Sequence, residues 1–302
     1  MARHGNCIQP DGSFPSEIDL AACDETLKLL CNLLARLPNK ASLSDDDFLS
    51  PLFSLLRRVA IPSPPLQSPV SSLVNYLVFS KLEIAAEGLP CHAYVFPSDE
   101  KNANVDRLSK IRSLAAQSYG SGGLDEHGSP LIQFLVKVAE ISPPPPKARL
   151  KSLILPLNED RETVLGEGNS LSAILLRAAS SVVSSKFRLL IPALFFELSD
   201  RDPRRLVHNV GYGYGSGLLV SLGIQLPANS SDVLASDEGK GGFIYIYIHS
   251  RSEQTLTIEL PELEINPIPG QMLDKEPTID LPEMTGEEKE REAERLFVPF
   301  DR

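Results

Sequence analysis

The residues of this 302-residue chain able to ligate a metal or attack a carbonyl are few: four cysteines, five histidines and one acid–acid–histidine triplet. Metal ligation needs three or four donors that converge, and Cys7, Cys23, Cys31 and Cys91 show no C-x-x-C pair and no histidine at ligand spacing. Cys23 and Cys31 lie eight apart in a helical pattern and read as buried free thiols rather than as a disulfide or a metal site. Asp125-Glu126-His127 sits in the glycine-rich stretch SYGSGGLDEHGSP, where three consecutive side chains cannot meet at one point. It reads as a solvated connector or a helix cap. His208 reads as a packed or capping residue. No G-x-S-x-G and no H-E-x-x-H occurs, so hydrolase and metalloprotease chemistry lack their residues.

A run of glycines at 210–219, VGYGYGSGLL, raises nucleotide binding next. Its spacing is G-x-G-x-G-x-G, neither the dinucleotide fingerprint nor a phosphate loop ending in Lys-Ser/Thr. It also follows a helical stretch, where a dinucleotide site needs a strand. The reading is close backbone approach between packed helices, with Tyr212 and Tyr214 filling the space. No cofactor and no catalytic residue is expected.

The elements around these residues are helical from residue 24 to about 223. Leu27, Leu30, Cys31 and Leu34 repeat at i, i+3, i+4 and i+7 over 24–37, with Asp24 as the expected N-cap. A second helix starts at the acidic run 44–47 and carries Leu52, Leu55, Leu56 and Val59. Further amphipathic segments begin near 68, 104, 129, 147, 169, 187 and 204. The proline clusters at 61–69 and 142–146 fall between helices and read as rigid joins rather than polyproline ligands. No fixed repeat period is visible, which leaves a degenerate armadillo or HEAT array or a compact irregular bundle. The chain divides into a poorly ordered extension at 1–23, a helical array at 24–226, a flexible linker at 227–283 and a terminal helix at 284–298. Within the linker, GFIYIYIH and TLTIEL suggest a strand-like insertion over 242–260.

Charge narrows the partners. The net charge of -11 argues against nucleic acid and against a polybasic membrane surface. Most of it resides in residues 255–302, which hold 13 acids against 5 bases. No apolar run reaches membrane-spanning length, and the first 17 residues lack a signal-peptide core, so a reduced, cytoplasmic protein is expected. The acidic tail ends in MTGEEKEREAERLF, where Thr285 and Glu288 form a capping box and Glu287 stands four residues before Arg291. Ala293, Leu296, Phe297 and Phe300 give it a small apolar stripe, and Pro299 ends the helix near Val298. A capped helix on a flexible linker is built as a docking arm.

The segment LFFELSDRDPRRLVHNVGYGYGSGLL (194–219), with LSPLFSLLRRVAIPSPP, INPIPGQMLDKEP and LPEMTGEEKEREAERLFVPF in the same order, resembles the synembryn family, fungal members most. The resemblance implies an all-α, armadillo/HEAT-like superhelix with a flexible acidic C-terminal tail ending in a short helix. It implies a monomeric chaperone and guanine nucleotide exchange factor for heterotrimeric G-protein α subunits, acting without covalent chemistry by stabilising the nucleotide-free subunit. It places partner contacts at Glu287, Glu288, Arg291, Leu296, Phe297 and Phe300 in the tail. Lys28, Asn32, Asn209 and Tyr212 are the corresponding candidates in the trough, because asparagines line the concave face of such arrays. Ser230, Ser231 and Ser236 are implied as phosphorylation acceptors. Family members carry further N-terminal repeats, so this chain reads as beginning inside the array, and 240–262 as an insertion or a translated intron. The alternative is a shortened armadillo-type scaffold that binds a partner helix without exchange activity.

Overall fold

The computed structural model describes residues 7–36, 46–80, 82, 90–119, 121–181, 184–224, 265–266 and 268–276. Among them the chain is all-α, a helical-repeat array without a strand; only a lone antiparallel bridge joins Ile265 to Met272. The helices are α1 (Glu17–Arg36), α2 (Asp46–Arg58), α3 (Val70–Phe79), α4 (Pro90–Val95) and α5 (Ala103–Ser118). They continue as α6 (Ser121–Ile141), α7 (Pro144–Ile154), α8 (Leu171–Ser180), α9 (Phe187–Leu198) and α10 (Pro203–Ser221).

Long α6 is the spine. It packs against α3, α5 and α9, while α1 packs on α3 at one side and α10 on α9 and α8 at the other. Phe53 of α2 and Phe134 of α6, both fully buried, meet with ring centroids 6.3 Å apart. A single core follows the spine through Leu73, Tyr76 and Leu77, Leu131 and Leu135, then Ile191, Leu194 and Phe195. Apolar residues at helical spacing form this core because only one face of each helix can reach it. Both proline clusters lie between helices as expected, and the second also opens α7 with prolines in its first turn, where a missing N–H costs nothing.

Three expectations are corrected. The helix expected from Asp24 begins at Glu17, where the Ser16 hydroxyl accepts from the Asp19 amide at 3.2 Å. Asp24 is therefore inside α1, buried, and accepts from the Ser72 hydroxyl at 2.5 Å. The expected disordered extension is also partly anchored: Ile8 is buried, its carbonyl accepts from Arg58 at 3.1 Å, and the Ala60 amide donates to Gly12 O at 2.7 Å. Finally, the glycine-rich stretch around Asp125 is not a connector but the first turns of α6. Packing against α9 overrides weak helix propensity there, and Gly128 fits because a β-carbon would stand 3.1 Å from Phe187 Cζ. Asp125 does cap a helix, though not its own: it accepts from the Phe187 amide that opens α9, at 2.8 Å.

Candidate functional site

The most elaborate polar arrangement sits where α10 breaks. Asp202 caps α10 by accepting from the Arg204 amide at 2.8 Å, and Pro203 follows in the first turn. Nine residues on, Gly211 leaves helical geometry at φ 75°, ψ 158°, a backbone conformation that L-residues with a β-carbon rarely adopt. The break frees backbone groups that a continuous helix would pair internally. The Gly213 amide donates instead to Ile268 O at 3.0 Å. The carbonyls of His208 and Asn209 accept from Arg161 Nη2 at 3.2 and 2.8 Å.

Residues 265–276 therefore do not form part of a free linker. They lie across the break, so close that a β-carbon on Gly211 would stand 3.0 Å from Gly270 N. The segment folds on itself first: the Asn266 amide donates to Gln271 O at 2.8 Å and the Gly270 amide to Asn266 O at 2.9 Å. It is then held by the short 3-10 turn Glu159–Glu162 and the loop after it. The Met272 amide donates to Arg161 O at 2.8 Å, Leu165 N to Pro269 O at 3.3 Å, and Gln271 Nε2 to Glu162 O at 3.1 Å. Arg161 closes the assembly with Nη1 on Gly270 O at 3.0 Å. Arg161 as a residue is only 5% exposed, and burial lowers its pKa, with Asp160 offsetting part of the effect.

Beside this junction lies the corner between α9 and α10. Asp200 and Arg201 both adopt φ 58°, two consecutive left-handed residues without glycine. Asp200 accepts from Lys151 at 2.7 Å and Arg205 at 2.6 Å. Arg201 bridges Glu197 and Glu140 at 2.5 and 2.7 Å, and Lys147 reaches Glu197 at 3.1 Å. Partial burial works against the charge on Asp200, yet Lys151, Arg205 and Lys147 hold its carboxyl below the usual carboxylate range.

The candidate partner residues are not brought to one point. Lys28 and Asn32 are exposed on α1, where Lys28 pairs with Asp24 at 2.8 Å and Glu25 at 2.9 Å. Asn209 is half-buried on α10 and donates to the Ser199 hydroxyl at 2.9 Å, so its side chain ties α10 to the corner. Tyr212 is half-buried against the core. Gly211 and Gly213 are approached by the 265–276 segment rather than by a packed helix, which corrects that part of the glycine reading; Tyr214 instead lies over Gly166. Glu287, Glu288, Arg291, Leu296, Phe297, Phe300, Ser230, Ser231, Ser236 and the 242–260 insertion lie outside the described residues. Sequence reasoning passed over Arg161 and Gln271. The signal was present in the two glycine-bearing motifs, 210–219 and 265–277, whose separation in the chain hides their contact.

No group of His, Cys, Asp and Glu among the described residues could hold a metal ion. Burial raises the Cys23 thiol pKa to about 11, with Asp24 adding to the shift, so it is no nucleophile. No helix among the described residues is long and apolar enough to cross a membrane.

Comparison with known proteins gives the family. Residues 2–302 match the family Ric8, described as guanine nucleotide exchange factor synembryn. A synembryn-like chaperone of Schizosaccharomyces pombe is 30% identical over 158 residues, covering 52% of this chain and 28% of that protein. The chaperone Ric-8A of Mus musculus is 29% identical over 202 residues, covering 66% and 35%, and that of Bos taurus is 30% identical over the same length and coverage. The chain thus spans about a third of the length of the curated relatives it matches. With its helical array and its match along almost the full sequence, this chain belongs to the Ric8, or synembryn, family.

Proposed function

We propose that the chain binds the α subunit of a heterotrimeric G protein as a folding chaperone and nucleotide exchange factor. The observation that carries this reading is the family match over residues 2–302, whose description names guanine nucleotide exchange. The relatives named as chaperones support the folding role. The protein acts by differential binding, holding the partner in a nucleotide-free conformer that it binds more tightly than the nucleotide-bound one. No covalent bond is made or broken by its residues. It works as a monomer in the cytoplasm, reaching the membrane face through its partner.

Two surfaces serve this function. The array offers Lys28 and Asn32, both exposed on α1, and the α10 region around Tyr212. The acidic tail offers Glu287, Glu288 and Arg291 with the apolar Leu296, Phe297 and Phe300. Ser230, Ser231 and Ser236 tune the tail by phosphorylation, which adds negative charge and strong acceptors.

The test is capture of a purified, nucleotide-free α subunit by the full chain, followed by GDP-release kinetics. The expected result is a stable complex and faster release, both weakened by deleting residues 283–302. Binding without faster release leaves the scaffold reading, in which the array holds a partner helix and does nothing to its nucleotide. Absence of binding overturns both.

A further inference from the structure

We propose that the seating of residues 265–276 and the break in α10 are a single two-state device, a strap whose release lets α10 close into a continuous helix. It concerns the fold itself and stands apart from the identity of the partner. In a continuous α-helix the Gly213 amide donates to the carbonyl four residues earlier, which is Asn209. Here both ends of that one missing bond are occupied by the strap assembly. The Gly213 amide is taken by Ile268 O, a strap carbonyl, at 3.0 Å. The Asn209 carbonyl is taken by Arg161 Nη2 at 2.8 Å, from the same guanidinium that holds strap Gly270 O.

The two arrangements exclude each other. With the strap seated, Gly211 stands at φ 75° with Gly270 N and Ile268 O against the place of its missing β-carbon, at 3.0 and 3.1 Å. With the strap lifted, Ile268 O leaves the Gly213 amide unpaired and Gly270 O leaves Arg161. The Asn209 carbonyl, which has a second lone pair beside the one Arg161 uses, is the local acceptor that satisfies that amide. Gly211 changes from a positive to a helical φ at no steric cost, which glycine alone permits. That one torsional change swings the second half of α10, with Tyr212 and Tyr214, relative to its first half. The strap leads at Glu276 directly into the acidic tail. Whatever engages the tail therefore pulls on the strap, and the device passes that pull into the array as a reorientation of α10.

Residue-resolved native-state hydrogen exchange on the full chain tests this. The amides of Leu165 and Met272 lie on separate stretches of chain yet both pair across the strap, so one opening gives them a common opening equilibrium and denaturant dependence. The Gly213 amide, re-paired with Asn209 in the open state, stays protected beyond both. Exchange of Gly213 through the same opening equilibrium as Met272, or distinct equilibria for Leu165 and Met272, overturns the proposal. Two variants add direction. Gln271→Ala removes a strap anchor that touches only Glu162 O and Lys275 O, neither on α10. It is expected to raise exchange at Met272 and Leu165 by the same factor, about fivefold, as for loss of one net hydrogen bond, with Gly213 unchanged. Acceleration of Gly213 together with Met272 overturns the coupling, because it shows the strap lifting without closure of α10. Gly211→Ala favours helical φ and crowds Gly270, so exchange at Leu165 and Met272 rises while Gly213 stays protected by its new bond to Asn209. If Gly211→Ala loses the α3 and α6 core protection and so fails to fold, the wild-type isotherms decide alone.

Discussion

The guanidinium of Arg161 and the carbonyl of Gly270, 109 residues apart in the chain, meet at 3.0 Å inside the protein. The contact joins a turn, a kinked helix and a distant segment through one side chain. Its partners are backbone carbonyls, so the guanidinium reads backbone shape.

Replacing Arg161 by Met keeps much of its volume and removes every one of those donors. The carbonyls of Gly270, His208 and Asn209 then lose their partner, and buried unsatisfied groups are costly. We expect a loss of about 2–4 kcal/mol of unfolding free energy, read by urea denaturation. A loss below about 1 kcal/mol would show that water satisfies these carbonyls equally well.

Arg112 is expected to behave in the opposite way. It is 3% exposed on α5, makes one bond, to Leu153 O at 2.9 Å, and leaves Nε and Nη1 without a protein partner. Burial lowers its pKa to about 9. Because the buried charge is poorly compensated, Arg112→Met should change stability by less than about 1 kcal/mol or raise it. Denaturation of the variant next to Arg161→Met separates a positioning arginine from a merely tolerated one.

Asp200 should give the corner between α9 and α10 a distinct acid sensitivity. Its folded-state pKa lies below the unfolded value of 3.8, so the carboxylate contributes stability above that pH. The contribution falls away as pH drops below 3.8 through the folded-state pKa. Asp200→Asn retains a side chain that tolerates φ 58° while deleting the charge. The variant should lose stability at pH 7, by no more than about 1 kcal/mol for so open a cluster, and lose less than the wild type on acidification. Thermal unfolding at pH 7 and pH 3 checks it; equal acid slopes in both proteins would refute the role of the charge.

Phe134, fully buried on the spine helix, packs against Phe53 of α2. Phe134→Ala should cost about 3–5 kcal/mol, the range for truncating a core aromatic. The loss should appear as one transition, since α3, α5, α6 and α9 share a continuous core. Two resolved transitions would mean that the array unfolds in separate blocks.

The helices were legible in the sequence by themselves. Leu27 and Leu34, or Leu52, Leu55, Leu56 and Val59, repeat at helical spacing, and all are buried. The prolines at 61–69 and 142–146 marked real joins. These features are local: periodicity, caps and proline geometry act over a few residues. The start of α1 was local too, since Ser16 and Asp19 hold its cap, and it was missed because the apolar repeat at 27–34 is the stronger signal.

What tertiary structure alone decided lies at long separation. The stretch at 121–130 is helical because α9 packs on it, against the preferences of its glycines and proline. Asp200 and Arg201 hold left-handed torsions beside cations supplied by α7 and α10. The 265–276 segment looked like linker because prolines and a glycine propose no regular structure by themselves. Its structure is instead its fit to a break in α10, and each of the two depends on groups the other leaves unpaired. No short window of sequence contains both halves of that bargain, so only the folded chain could reveal it.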